Sequence, residues 1–310
     1  MPNTFFIFAP LEGITDPIFR QTILELYPEW DYFFTDFWRV PRSKKISRKS
    51  LLAHLGENIH ANANWRDKHV FQILACQNAN LEAAAQSIAD LGIKWLDLNI
   101  GCPSKVVVRH HGGAYLLQHP EILQKIIVRL RASFPHTLSV KMRLGENDGE
   151  NFASNLHLLQ ELGVDRITVH ARTRNQYYTG KADWGHFLAA KKLLSIPLIV
   201  NGDIGNKEDI KKIEAMAVWG MMIGRGALAT PWLPRATDAR RIDEMPRYYL
   251  RFQENLLLAG LDKKVVLQRL KSITRYCFNE IDPTLELRQK LLRGHTLEEF
   301  ILYLKPLIQE

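Results

Sequence analysis

Short apolar or β-branched runs recur eight times along this chain, at 5–9, 31–35, 69–75, 95–100, 138–143, 166–171, 197–202 and 219–224. Between them lie stretches with helical apolar spacing, such as 81–91 and 120–132. Eight strand-helix units suit a closed parallel barrel, although a doubly wound sheet alternates in the same way. The polar residues decide between the two. Asn99, Lys141, His170 and Asn201 lie at or near the C-terminal ends of expected strands, where a barrel gathers its site from separate loops. The expected fold is therefore α/β, a parallel (βα) TIM barrel. After Gly226 the alternation stops, and a Pro-containing stretch at 230–246 leads into helical periodicity only, at 246–259, 263–278, 284–292 and 297–308. This predicts a barrel domain over 1–235 followed by a small C-terminal all-helical bundle over 236–310.

Composition bounds the partners. Hydrophobic residues at 46% and charged residues at 24% allow a sizeable core and argue against disorder. The 41 Lys and Arg against 33 Asp and Glu give a net charge of +8, which favours a polyanionic partner such as a nucleic acid. Cys76, Cys102 and Cys277 are odd in number and lack paired spacing, so neither a disulfide framework nor a zinc site is expected. No metal is called for. The chain enters the apolar run at Phe5 without a basic leader, and no stretch approaches the roughly twenty apolar residues of a membrane span. A cytoplasmic protein without a membrane partner, acting as a monomer, is the expectation.

The most informative motif is Leu98-Asn99-Ile100-Gly101-Cys102-Pro103, in which a strand ends in an amide, a glycine and a thiol, and proline stops the strand. Such a turn can present Cys102 at the barrel mouth, where a thiol with a pKa near ~8.5 stays mostly protonated and can donate a proton. A packing cysteine is the alternative. The run Asn99-Ile100-Gly101-Cys102-Pro103-Ser104-Lys105, followed by Gly112-Gly113-Ala114-Tyr115-Leu116-Leu117, resembles the signature of the tRNA-dihydrouridine synthases. Further blocks resemble the family in order. They are Ala9-Pro10-Leu11-Glu12-Gly13-Ile14-Thr15-Asp16, Val140-Lys141-Met142-Arg143, His170-Ala171-Arg172-Thr173, Asn201-Gly202-Asp203-Ile204 and Ile223-Gly224-Arg225-Gly226-Ala227. Two departures stand out: Leu11 replaces a frequent methionine, and His110-His111 precede Gly112 where a more glycine-rich run is common.

The resemblance implies FMN across the barrel mouth, against Ala9, Pro10 and Leu11, with its phosphate held by the loops after strands seven and eight. Those loops contain Asn201, Gly202, Asp203, Gly224 and Arg225, whose backbone N–H groups and guanidinium suit a phosphate. It places Lys141 near the electron-rich side of the flavin and Gln72 and His170 among its contacts. NADPH would reduce FMN, the flavin would deliver hydride to uridine C6, and Cys102 would protonate C5. A stacked uridine must first be turned out into the pocket. Asn99 could bond its edge or only brace the turn. Arg143 and Arg172 could hold phosphate or base, or form ordinary salt bridges.

Two basic clusters suit tRNA. One is the run 42–49, with Lys44 and Lys45, and the other is the tail run 263–275, where helical spacing puts Lys264, Gln268, Lys271 and Arg275 on one face. Family members resemble this layout, with a C-terminal helical domain gripping tRNA beside the mouth, and Lys105 falls within the matched signature. Thr35-Asp36-Phe37-Trp38-Arg39-Val40 and Arg269-Leu270-Lys271 are most similar to the C subgroup, whose target is the D-loop uridine at tRNA position 16; Arg39 would help recognise that base. The alternatives are a dihydroorotate-dehydrogenase-like FMN barrel acting on a free pyrimidine, and a non-catalytic RNA-binding barrel.

Overall fold

The computed structural model describes residues 4–42, 45–235, 244–277 and 285–307. Eight parallel strands form the barrel: β1 (Phe5–Phe8), β2 (Tyr32–Phe34), β3 (His69–Leu74), β4 (Trp95–Ile100), β5 (Thr137–Arg143), β6 (Arg166–His170), β7 (Leu198–Asn201) and β8 (Gly220–Ile223). β8 returns to β1 through the pair Phe8 and Ile223, and β2 joins β3 through Phe34 and Val70, so the ring closes. Every strand lies within two residues of its expected run.

An additional two-residue strand, Trp38–Arg39, pairs with Ile73 and Leu74 on the same edge of β3 that β2 uses lower down. Between them the ladder is interrupted. The Thr35 hydroxyl, at 2.9 Å, accepts the Gln72 N–H in place of a backbone carbonyl, and the freed residues Asp36 and Phe37 line a cleft at the barrel mouth. Two residues carry no alternation, so nothing in the sequence pattern announces this strand. Of the basic run that follows, Arg42 and residues 45–47 lie in loop, Arg48 and Lys49 open the helix Arg48–Leu55, and Ser43 and Lys44 lie outside the described residues.

Strand alternation sorts the residues into an outer core and a barrel interior. On β4, Leu96, Leu98 and Ile100 pack outward among the helices, while Trp95 joins an interior cluster with Ile7, Phe34, Val70, Ile199 and Met222. Asp97 and Asn99 therefore share Trp95's inward face, at successively higher levels. Register adds their neighbours, since Asp97 pairs with Gln72 and Ser139, Asn99 with Lys141, and His170 with Arg143 and Asn201. The interior thus runs from an aromatic floor to a polar mouth. Arg166 closes the floor, its guanidinium 4.2 Å and 4.5 Å from the ring centroids of Trp95 and Trp219.

The tail forms the helices Glu244–Leu258, Lys263–Thr274, Glu286–Arg293 and Leu297–Leu304. The first starts ahead of its expected position, with Pro246 in its opening turn, where the missing N–H costs no helical bond. The expected boundary after 235 and the expected helix limits at Phe278, Thr284 and Ile308 lie outside the described residues. The tail packs on the barrel's first helix, Pro17–Leu26, with Phe19 edge-on to Tyr248 and Phe252 at centroid separations of 6.2 Å and 5.5 Å. Asn255 donates to Thr22 and Glu25, each at 2.9 Å. Asp16 caps that barrel helix through the Phe19 N–H at 2.9 Å and also binds Arg269 of the tail. Among the described residues, no helix is long and apolar enough to cross a membrane.

Candidate active site

The end of β4 is shaped by one side chain. Asn99 Oδ1 accepts the N–H groups of Gly101 at 2.9 Å and Cys102 at 3.0 Å, folding the chain into a turn that faces the mouth. Behind it sits Gly113, with φ of +59°. A Cβ there would meet the Cys102 carbonyl oxygen at 2.9 Å and its Cβ at 3.2 Å, so a side chain would displace the thiol. Cys102 lines a cleft of about 550 Å³ with Gln72, Asn99, Lys141, Arg143, His170 and Tyr178. Burial pushes its thiol pKa up, partly opposed by the Ser104 backbone, so the sulfur holds its proton at neutral pH.

Lys141 and His170 both line the cleft, with opposite charge behaviour. Lys141 has no hydrogen bond or ion pair among the described residues; burial and Arg143 bring its pKa down to about 8, while Asp97 and Cys102 favour its charged form. It remains cationic at neutral pH. Burial, reinforced by Lys141, Arg143, Arg172 and Arg225, holds the His170 pKa well below the usual range, so the imidazole is neutral.

The cleft continues into a smaller cavity of about 90 Å³, since Pro10, Leu11, Lys141, His170, Tyr178 and Arg225 line both. Gly202 there has φ of +123°, and a Cβ would come within 2.9 Å of Ala182 Cβ and 3.1 Å of His170 Cδ2. Arg172 and Arg225 both donate to Asp203, at 2.5 Å and 3.0 Å. Burial alone would raise the Asp203 pKa, but these guanidinium groups and the Ala182 N–H carry it below the carboxylate range. Two cations against one carboxylate leave a positive end suited to a phosphate. A cleft in the usual ligand-pocket range of roughly 300–1,000 Å³ that narrows into such an end fits FMN in both size and charge.

All the residues expected to hold cofactor line one cavity or both: Ala9, Pro10, Leu11, Gln72, Lys141, His170, Asn201, Gly202, Asp203, Gly224 and Arg225. Among the residues expected at the substrate, Asn99 and Arg143 line the larger cavity, whereas Arg172 lines the smaller one. Arg143 donates to the carbonyls of Gly101, Thr173 and Tyr177 at 3.0, 2.8 and 2.8 Å, bracing the loop that carries Tyr178. Arg39 and Lys105 are exposed and line neither cavity; the Arg39 guanidinium lies 5.2 Å from the Phe37 ring centroid. On the tail, Lys264, Gln268 and Arg275 are exposed and Lys271 is half-buried, whereas Arg269 stands apart, committed to Asp16 and the Ile14 carbonyl.

Tyr177, Tyr178, Tyr276 and Asp97, at or beneath the cleft, escape the sequence analysis. Tyr178 lies beneath the Arg143 and Arg225 guanidinium groups, 5.3 Å and 5.6 Å from its centroid, and lines both cavities. Tyr276 brings the tail to the cleft wall. Asp97 is completely buried below the mouth. Only Asp97 has a sequence signal, a carboxylate between two leucines in a strand otherwise fit for burial.

The sequence profile described as dihydrouridine synthase (Dus) matches residues 7–305. The chain is 34% identical over 231 residues to the tRNA-dihydrouridine(16) synthase of Shewanella oneidensis, covering 73% of this chain and 72% of that one. It is 32% identical over 279 residues to the tRNA-dihydrouridine synthase B of Pseudomonas aeruginosa, covering 88% and 78% respectively. Among solved structures, the old yellow enzyme homologue from Zymomonas mobilis aligns with a TM-score of 0.54 at 10% identity, over 75% of this chain and 87% of that one. Morphinone reductase gives 0.52 at 12% identity, over 76% and 85%. These two likenesses concern the fold alone. With the profile running almost end to end and relatives at about a third identity across about three quarters of the chain, the chain belongs to the dihydrouridine synthase family of flavin-dependent oxidoreductases.

Proposed function

We propose that this enzyme uses FMN and NADPH to reduce a D-loop uridine of tRNA, at position 16, to 5,6-dihydrouridine, with Cys102 as the proton donor. The observation that carries the reading is a protonated thiol facing a flavin-sized cleft beside Asn99 and Lys141. Bound FMN, recharged by NADPH, supplies the hydride taken up at uracil C6. Cys102 holds the proton for C5, and supplying it as negative charge develops there contributes on the order of a hundredfold. Lys141 presents positive charge to the cofactor, and Arg172 and Arg225 hold its phosphate. Gln72 and Asn99 each spend one amide hydrogen on a protein acceptor, leaving the other for what fills the cleft.

The C subgroup is favoured by the run 35–40 and by Arg39 exposed beside the mouth, and position 16 also by the relatives from Shewanella oneidensis, Haemophilus ducreyi and Vibrio parahaemolyticus, each a tRNA-dihydrouridine(16) synthase. A domain division near 235 gives the tail its role, with Lys264, Lys271 and Arg275 following the tRNA backbone while Tyr276 reaches the cleft. The test is incubation of the FMN-loaded protein with NADPH and unmodified tRNA transcripts, followed by mass mapping of dihydrouridine. Conversion at position 16 is expected. Conversion elsewhere overturns the subgroup, and turnover of dihydroorotate without tRNA reduction returns the free-pyrimidine alternative.

A further inference from the structure

Asp97 is a buried carboxylate that none of these steps uses. It points into the barrel one level below Asn99, completely shielded from solvent, where an unsatisfied charge would be costly. Ser139 Oγ donates to one oxygen at 2.5 Å and Gln72 Nε2 to the other at 2.8 Å; Ser139 in turn receives the Trp95 indole N–H at 2.8 Å. The chain of bonds then climbs to the mouth. Gln72 Oε1 accepts from Asn99 Nδ2 at 2.9 Å, and Asn99 Oδ1 receives the Gly101 and Cys102 amides.

The two ends fix the direction of every bond. Backbone amides only donate, so Asn99 turns its oxygen to the Cys102 turn and its nitrogen to Gln72. An ionised carboxylate only accepts, so Gln72 turns its nitrogen down and its oxygen to Asn99. Flipping either amide would set donor against donor or acceptor against acceptor inside the barrel. Asp97 also bears on Lys141 of the adjacent strand. The titratable groups around Lys141 are Asp97 and Cys102, which favour its charge, Arg143, which opposes it, and the neutral His170. Lys141 forms no ion pair among the described residues, so its stabilisation by Asp97 acts through space.

We propose that Asp97 is the positioning residue of this site: from the level below, it sets the facing of Gln72 and Asn99 and supplies the buried negative charge that keeps Lys141 cationic. This rests on the FMN reading above. It is tested by fluorescence titration of FMN into apoprotein between about pH 7 and 9.5 and by the rate of Cys102 alkylation in the apoprotein. The wild-type affinity should fall as Lys141 loses its proton, and K141M should abolish that fall. D97N and D97S, two charge-neutral variants made so that misfolding of one does not silence the test, should move the midpoint of the fall down by about one pH unit. S139A, which keeps the carboxylate, should leave the midpoint in place. D97S, too short to reach Gln72, should also speed alkylation severalfold, whereas D97N should not. An unmoved midpoint in the folded charge-neutral variants overturns the proposal, as does a fall that persists in K141M. A wild-type protein that takes up no FMN overturns the function reading and this proposal with it, and that result is visible in the first titration.

Discussion

Removing three positive charges from the tail helix should change how tRNA binding responds to salt. Lys264, Lys271 and Arg275 share a face, and at about 1.5 Å per residue they span roughly 16 Å of the helix. None forms an ion pair among the described residues, whereas the adjacent Lys263 is bound to Glu298 at 2.5 Å. If each of the three displaces one counterion from tRNA, the slope of log K against log salt should drop in magnitude by about 2–3 in the triple alanine variant, from roughly 0.7–0.9 per phosphate contact. Over a fourfold rise in salt that difference compounds to roughly 20–40-fold in affinity. Fluorescence anisotropy with labelled tRNA, at several salt concentrations between about 50 and 200 mM and without NADPH, reads both slopes. K263A is the control, because a lysine already paired with a carboxylate releases fewer counterions. An unchanged slope in the triple variant, or an equal change in K263A, would refute the assignment of this face to the tRNA backbone.

C102A should keep its FMN and its reduction by NADPH while tRNA reduction falls on the order of a hundredfold; unchanged single-turnover rates would remove Cys102 from the chemistry. Stability should decline on acidification below about pH 6.5, because burial holds His54 down to about 4 and His69 and His170 well below their usual range, so the unfolded chain binds protons the folded one refuses. Asp97, raised to about 6, acts in the opposite sense, stabilising the fold at low pH and losing that contribution as pH rises through 6. Near pH 5 these four groups together give a net uptake of about two protons on unfolding, or roughly 3 kcal/mol per pH unit. Urea denaturation between pH 7 and 5 with no loss of stability would contradict neutral burial of the histidines. R269A leaves Asp16 and the Ile14 carbonyl without their tail partner and should cost about 1–2 kcal/mol in the same assay, a negligible change showing that the contact does not pin the tail.

The barrel was legible because its strands repeat one pattern: outward Leu96, Leu98 and Ile100 are apolar enough to mark β4, and the inward polar set reaches a recognisable signature only at Asn99. The residues that line the two cavities, and that are proposed to hold the cofactor, were legible because most of them sit at or just after strand ends, where chain position and spatial position coincide. Tyr178 and Tyr276 were not, since their places depend on where a long loop folds back under Arg143 and Arg225 and on how the tail docks. Arg143, Arg172 and Arg269 show a different difficulty. Each carries a charge that sequence alone associates with a polyanion, yet their guanidinium groups meet carbonyls at loops 101, 173, 177, 179, 180 and 14, or the carboxylates of Asp203 and Asp16. Helix spacing cannot distinguish Arg269 from Lys271; only the barrel helix that packs beside them does.

Because Tyr276 closes one side of the cleft and Asp16 is shared between the barrel's first helix and Arg269, the C-terminal helices are part of the enzyme's interior architecture. Grafting a relative's tail onto this barrel would alter the wall of the cleft as well as the proposed RNA-binding face. Cutting the tail away would uncover the side of Phe19 that faces Tyr248 and Phe252, leaving its contact with Phe8. Specificity and turnover in this protein are therefore expected to change together when either half is exchanged.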